Sequence, residues 1–242
     1  MQTLKKTIIF LIVVSALVFL LGPEIIPGNL QPQEILNAVA NSDVIIVFNP
    51  GGWGNTPFEK AQDFAPIIEG IQGTLSGWGY KSVVIPYVRT KDGFWGRIAG
   101  MKEFFNSFKN TSEDLAGEIE FLNKALPGKK IIIAGLSSGG TFVTETYKKI
   151  SEDVKSSVYT IAAGTPFWAE QVQSENILQL NNNGKDSLYV GEVKTLLLSL
   201  LKTPLRWLSF KSQAFYAPGH EYYWSSTEVN PQIVTFLEDK FH

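Results

Sequence analysis

Short apolar runs rich in β-branched residues recur along this chain, most of them separated by stretches with helical spacing. Val44–Phe48, Val83–Ile85, Ile131–Ala134 and Val158–Ala163 are such runs, with Ile177–Leu180 a fifth and Ala214–Tyr216 a short last one. Continuous rather than alternating hydrophobicity means burial on both faces, which is the condition of a strand inside a parallel sheet. Parallel neighbours need long crossovers, and the intervening helical patterns supply them. The first such pattern, Phe58 to Leu75, places Phe58, Ala61, Ala65, Ile68 and Ile71 at helical spacing. A second is predicted to start at Thr111-Ser112-Glu113-Asp114, where an acceptor side chain precedes an acidic turn, and to stop at Pro127-Gly128. Helices are expected also over residues 140–150, within the leucine-rich segment Glu192–Trp207 up to Pro204, and from Pro231 to Phe241. The expected fold class is therefore α/β, with a mostly parallel central sheet flanked by helices. The 242 residues, 44% of them hydrophobic, suffice for one such domain, placed at residues 43–242.

Residues 1–22 read as a separate segment. Lys5 and Lys6 precede an apolar run from Ile8 to Leu21, interrupted only by Ser15 and ended by Gly22-Pro23. Positive charge, an apolar stretch and then helix breakers describe an export segment, either a signal anchor or a signal peptide. The run is short against the roughly 17 apolar residues usual for a span. No small-x-small cleavage pattern follows it, which favours an uncleaved membrane anchor with the domain outside the cytoplasm. Cleavage would leave the protein secreted. Residues 23–42 are read as a Pro- and Gly-containing linker followed by an N-terminal helix.

Composition removes several function classes. No cysteine is present, so disulfides, thiolate metal sites and cysteine nucleophiles are ruled out. The two histidines, His220 and His242, are too few for histidine-rich metal chemistry, and no metal or organic cofactor is expected. A net charge of -2 with scattered lysines and arginines offers no footprint for nucleic acid.

The chemistry is carried by Lys129–Thr141, KKIIIAGLSSGGT, which contains Gly135-Leu-Ser137-Ser-Gly139 directly after a strand and before a helix. A sharp turn that presses a serine into a strained conformation needs neighbours without side chains, and Gly135, Gly139 and Gly140 provide that room. The hydroxyl then stands at the carboxyl end of the sheet, beside helix N-terminal amides that can stabilise negative charge. Ser137 needs a base to become a nucleophile. His220, in a loop past the last strand, is the only candidate in the body of the chain. Asp186, after the Ile177–Leu180 strand, is in the position of a carboxylate that orients the imidazole. An alternative role for Asp186 is to cap the following helix, and Glu192 is the fallback acid.

The strand–turn–helix around Ser137 and the chain order Ser, Asp, His resemble the α/β-hydrolase superfamily of serine esterases and lipases over roughly residues 43–242. The resemblance implies Ser137 as nucleophile, Asp186 as acid and His220 as base. It assigns one oxyanion donor to the amide of Ser138 and the second to the loop Phe48-Asn-Pro-Gly-Gly-Trp-Gly54, through Trp53 or Gly52. This loop resembles the superfamily's His-Gly-x loop with Asn-Pro-Gly in place of the histidine. Only a short stretch, Gly164 to Ser174, separates two strands, so no large cap domain is expected there. Phe94, Trp95, Phe167 and Trp168 are expected in loops bordering the site, which favours an apolar acyl group. The expected activity is hydrolysis of a small-molecule or lipid carboxylic ester, or a thioester, through an acyl-enzyme. A catalytically silent binding protein at the cell surface, or an acyltransferase or peptidase using the same residues, are the alternatives.

Overall fold

The computed structural model describes residues 32–91, 93–196, 198 and 217–242. Five strands, β1 (Val44–Asn49), β2 (Ser82–Pro86), β3 (Lys130–Leu136), β4 (Val158–Ala163) and β5 (Ile177–Leu180), form one sheet. Every pairing is parallel, in the spatial order β2-β1-β3-β4-β5. The expected strand Ala214–Tyr216 lies outside the described residues.

Alternate residues of a strand face opposite sides, and here each side has its own helices. Val44, Ile46, Phe48, Ile132, Ala134 and Ile161 pack with α2 (Ala65–Gly77) and α8 (Val229–Phe241). Ile45, Val47, Ile131, Ile133 and Val158 pack with α1 (Pro32–Val39), α4 (Lys109–Ala125) and α5 (Ser138–Lys149). The short helices α3 (Phe94–Phe105), α6 (Glu152–Lys155) and α7 (Ser187–Val190) complete the connections. The α/β sandwich expected from the apolar runs is thus present, with helices on both faces of a parallel sheet. The β4–β5 connection, residues 164–176, contains no helix or strand, so no cap domain is inserted there.

Three local expectations are corrected. The pattern from Phe58 to Leu75 is not one helix: a single 3-10 turn at Phe58–Lys60 precedes α2, because Ala65-Pro66 opens a new helix with proline in its first turn. α4 begins at Lys109, not at Thr111. The Thr111 hydroxyl bonds the Glu103 carboxylate (2.9 Å) and Ser112 bonds the Phe108 carbonyl, so both lie inside the first turn. Phe94 and Trp95 are not loop residues but open α3.

Among the described residues no helix is long and apolar enough to cross a membrane. The export segment expected at residues 1–22 lies outside the described residues, as does the part beyond Leu198 of the helix expected from Glu192.

The strand order determines where a ligand can enter. From β1 the chain crosses to β2 on one side, whereas from β3 it crosses to β4 on the other. The loops leaving the carboxyl ends of β1 and β3 therefore diverge and leave a crevice, the usual binding position in an open α/β sheet. The loop after β1 is residues 50–54, and the residue after β3 is Ser137.

Candidate active site

Ser137 occupies the turn between β3 and α5 with φ 56° and ψ -118°. That is outside the regions open to residues with a Cβ, and holding it there costs on the order of 1–3 kcal/mol. The surroundings enforce it. Its amide donates to the Ala163 carbonyl at 2.8 Å, and its own carbonyl accepts from the Thr141 amide at 3.1 Å. Strand and helix approach so closely that a Cβ on Gly135 would lie 2.3 Å from the Gly139 carbonyl oxygen. Both partners are backbone and cannot give way. Gly135→Ala is therefore expected to cost about 1–3 kcal/mol or more by overpacking, read as a melting temperature lowered by about 2–4 °C per kcal/mol. An unchanged melting temperature would refute this account of the turn.

Asp186 and His220 come together although 34 positions separate them. The imidazole Nδ1 lies 2.8 Å from the Asp186 Oδ2, and the carboxylate is fully buried. The two alternatives for Asp186 turn out to be compatible, because each oxygen serves one of them. Oδ1 caps α7, accepting from the amides of Leu188 (2.9 Å) and Tyr189 (3.2 Å). Oδ2 accepts from the imidazole and from the Tyr222 hydroxyl, at 2.6 Å. Burial alone would raise the carboxyl's pKa. The hydrogen bond and charge of His220, with the Tyr222 and Tyr189 donors, outweigh burial and hold it below the ordinary carboxylate range.

Tyr222 was not foreseen from the sequence. It stands two residues past His220, is buried, and shares its hydroxyl between Asp186 Oδ2 and the Leu180 carbonyl at 3.1 Å. Burial and the neighbouring carboxylate push its own pKa well up, so it remains a donor. Glu192, the fallback acid, instead accepts from the Thr195 hydroxyl at 2.9 Å.

The end of β4 connects this pair to the serine. Ala163 accepts from the Ser137 amide, and the next residue, Gly164, lies under the imidazole: a Cβ there would meet His220 Cε1 at 2.5 Å. Ser137 and His220 thus both border the carboxyl end of β4, although no hydrogen bond joins the Ser137 hydroxyl to the imidazole.

The loop after β1 closes the other side. A Cβ on Gly51 would lie 3.6 Å from the Ser137 Cβ, and the Ser138 hydroxyl donates to the Gly52 carbonyl at 2.6 Å. Among the described residues, the amides of Gly52 and Trp53 have no acceptor. The Ser138 amide, at the start of α5, has no intrahelical acceptor either.

Among solved structures, a cutinase-like protein from a Cryptococcus species matches with a TM-score of 0.53. The match has 14% identity and covers 82% of this chain and 94% of that one. This chain has an α/β-hydrolase fold. A Trichoderma reesei cutinase bound to a phosphonate inhibitor matches at 14% identity over 66% of this chain and 73% of that one, TM-score 0.48. The catalytic core domain of an acetyl xylan esterase from the same organism matches at 14% identity over 56% and 81%, TM-score 0.41. No family model matches the sequence, and no curated protein matches it.

In this α/β-hydrolase fold an aromatic group borders the α3 and β4–β5 segments. Trp168 packs edge-on against Phe167 (centroids 4.9 Å apart) and Phe104 (5.9 Å), yet Phe167 and Trp168 keep 43% and 54% of their surface exposed. Trp95 and Trp53 are similarly exposed. Among the described residues no cluster of His, Asp and Glu is arranged to hold a metal ion.

Proposed function

We propose that this chain is a serine ester hydrolase that works through an acyl-enzyme. The observation that carries the reading is the Asp186–His220 pair, at 2.8 Å with its carboxylate buried, set over Gly164 beside the Ala163 carbonyl that holds the strained Ser137 amide. With Nδ1–H committed to Asp186, the imidazole presents an unprotonated Nε2, the tautomer a general base needs. Nε2 takes the Ser137 proton as Oγ attacks the ester carbonyl. The resulting oxyanion accepts from the Ser138 amide and from that of Gly52 or Trp53. Collapse expels the alcohol, which receives the proton from His220. Water, deprotonated by the same imidazole, then releases the acid and restores Ser137. The exposed aromatic group supports an apolar acyl moiety, from a small ester or a lipid, and a thioester fits the same chemistry. Lys5, Lys6 and the Ile8–Leu21 run support export, as an anchored or a secreted enzyme.

Fluorophosphonate labelling and a panel of p-nitrophenyl esters of increasing chain length test the reading. An adduct on Ser137, lost in Ser137→Ala, and turnover that improves with acyl length are expected. No Ser137-dependent adduct would leave a silent binding protein. An adduct with no ester turnover would point to peptide or acyl-transfer chemistry.

Tyr222→Phe removes one of the two donors on Asp186 Oδ2 and the only side-chain donor to the Leu180 carbonyl among the described residues. Hydrogen bonds to charged groups contribute about 1.5–3 kcal/mol, so thermal unfolding is expected to show a loss of that order. The kcat should fall by about tenfold or less, because His220 keeps its own bond to the carboxylate. Wild-type stability in the variant would show that the Tyr222 bond contributes nothing.

A further inference from the structure

Arg89, three residues past β2, is 2% exposed, and no carboxylate forms an ion pair with it among the described residues. A buried cation without a counter-charge is destabilising unless other groups compensate. Here its guanidinium carbon lies 4.9 Å from the Phe108 ring centre and 5.2 Å from that of Phe142, both favourable contacts for a cation. Burial pushes the guanidinium down to about 9, which leaves it positive at neutral pH.

Its polar contacts are with the loop after β1 and with Ser138. Nη2 donates to the Pro50 carbonyl at 2.6 Å and to the Ser138 hydroxyl at 3.1 Å. The Ser138 hydroxyl passes the bond on to the Gly52 carbonyl, at 2.6 Å. The Arg89 amide donates to the Gly54 carbonyl at 2.8 Å. Alternate carbonyls 50, 52 and 54 are thus tied to Arg89, directly or through Ser138. Gly54, at φ 76°, passes so close that a Cβ would lie 2.6 Å from Arg89 Nε, so the loop can lie on the guanidinium only without a side chain there.

A planar trans peptide fixes the N–H of one residue when the carbonyl of the residue before it is held. Holding the Gly52 carbonyl therefore fixes the Trp53 amide. The Gly51 carbonyl, which accepts from the Gly54 amide at 3.1 Å, fixes the Gly52 amide. The clamp thus sets the Trp53 amide through the Gly52 carbonyl, while the Gly52 amide is set by the loop's own turn, whose Gly54 carbonyl accepts from the Arg89 amide.

We propose that Arg89 is a positioning residue for catalysis, holding the 50–54 loop against Ser138 so that the oxyanion donors stand ready before substrate arrives. The role rests on the hydrolase reading above. It makes no contact with substrate and acts only through the loop.

The test compares wild type, Ser137→Ala, Arg89→Met and Ser138→Ala, the last of which keeps the Ser138 amide. Two readouts are taken: kcat and KM on a p-nitrophenyl ester, and amide hydrogen exchange of the segment spanning residues 50–54. Arg89→Met is expected to lower kcat by about 100-fold, the effect of a displacement of about 1 Å at catalytic groups, with KM changed less than about threefold. Residues 50–54 should exchange faster in it while β1 and β3 do not. Ser138→Ala should show the same pattern more weakly, and a variant combining Arg89→Met with Ser138→Ala should lose less than the product of the two, because both act through one clamp. A folded Arg89→Met with wild-type kcat, or with unchanged exchange over 50–54, overturns the proposal. If Arg89→Met does not fold, Ser138→Ala decides: no change in kcat and exchange overturns it, and the paired changes support it. An inactive wild type would refute the hydrolase reading, while the exchange data alone would still judge the clamp.

Discussion

Ser137→Ala is expected to lower kcat for ester hydrolysis by about a million-fold, to the level left by binding and oxyanion donors alone. Removal of the nucleophilic oxygen abolishes the acyl-enzyme, and the neighbouring Ser138 hydroxyl is committed to the Gly52 carbonyl. KM should change little, since the contacts that hold the ground state are untouched. Stability should also change little, because alanine carries the same Cβ into φ 56°. Ser137→Gly separates the two consequences of the turn. It should be as inactive as the alanine variant. It also relieves the strained backbone, a gain of on the order of 1–3 kcal/mol, less the roughly 0.5–1 kcal/mol by which glycine loosens the unfolded chain. The inactive glycine variant is therefore expected to melt at a higher temperature than the active enzyme. Rates from purified variants and paired melting curves check this. Retained turnover in Ser137→Ala would move the chemistry to another residue, and a lower melting temperature in Ser137→Gly would deny the strain.

The parts of this architecture that the chain announces are those where one physical cause dominates. β4 and β5 have the bounds expected of them, Val158–Ala163 and Ile177–Leu180, and β4 is buried along its whole length, the setting that a run rich in apolar residues marks. Ser137 was legible because a positive-φ serine must be surrounded by glycines. The α3–α4 boundary was not. The chain turns at Ser107 and Phe108, both left-handed at φ 53° and 54°, without the glycine or asparagine that marks such a turn. With that stop invisible, Thr111 and Ser112 read as a cap that belongs one turn earlier. Phe94 and Trp95 looked like loop residues because the preceding segment carries no clear period, whereas Gly93 in fact ends the loop and opens α3. Arg89 and Tyr222 escaped for a different reason. The side-chain hydrogen-bond partners of each are 36 or more positions distant, and neither belongs to a local pattern. Tyr222 offers only its spacing of two from His220, and Arg89 offers no signal at all.

Asp186→Asn is expected to reduce kcat by about 10,000-fold while leaving the fold largely intact, and the reason lies in how the two carboxylate oxygens are used. An asparagine can keep its carbonyl oxygen on the Leu188 and Tyr189 amides, so the α7 cap survives. Its NH2 group then faces His220 Nδ1 and the Tyr222 hydroxyl, both of which were donors. Tyr222 adapts by turning its proton wholly to the Leu180 carbonyl. The imidazole adapts only by moving its proton to Nε2, which can then no longer accept one from Ser137. The variant is thus a folded protein with the wrong tautomer. Asp186→Ala, by contrast, also loses the cap, at a further cost of about 1 kcal/mol. Acid titration tests the same group independently. The folded pKa of Asp186 is depressed, so its contribution to stability is fully present above the unfolded carboxylate value of about 3.9 and is lost as pH falls through the lower folded value. The stability gap between wild type and Asp186→Asn should therefore hold at neutral pH and narrow below about pH 4. A gap that widens with acid, or an asparagine variant that keeps wild-type turnover, would show that the Asp186 charge is not what holds the imidazole in its working form.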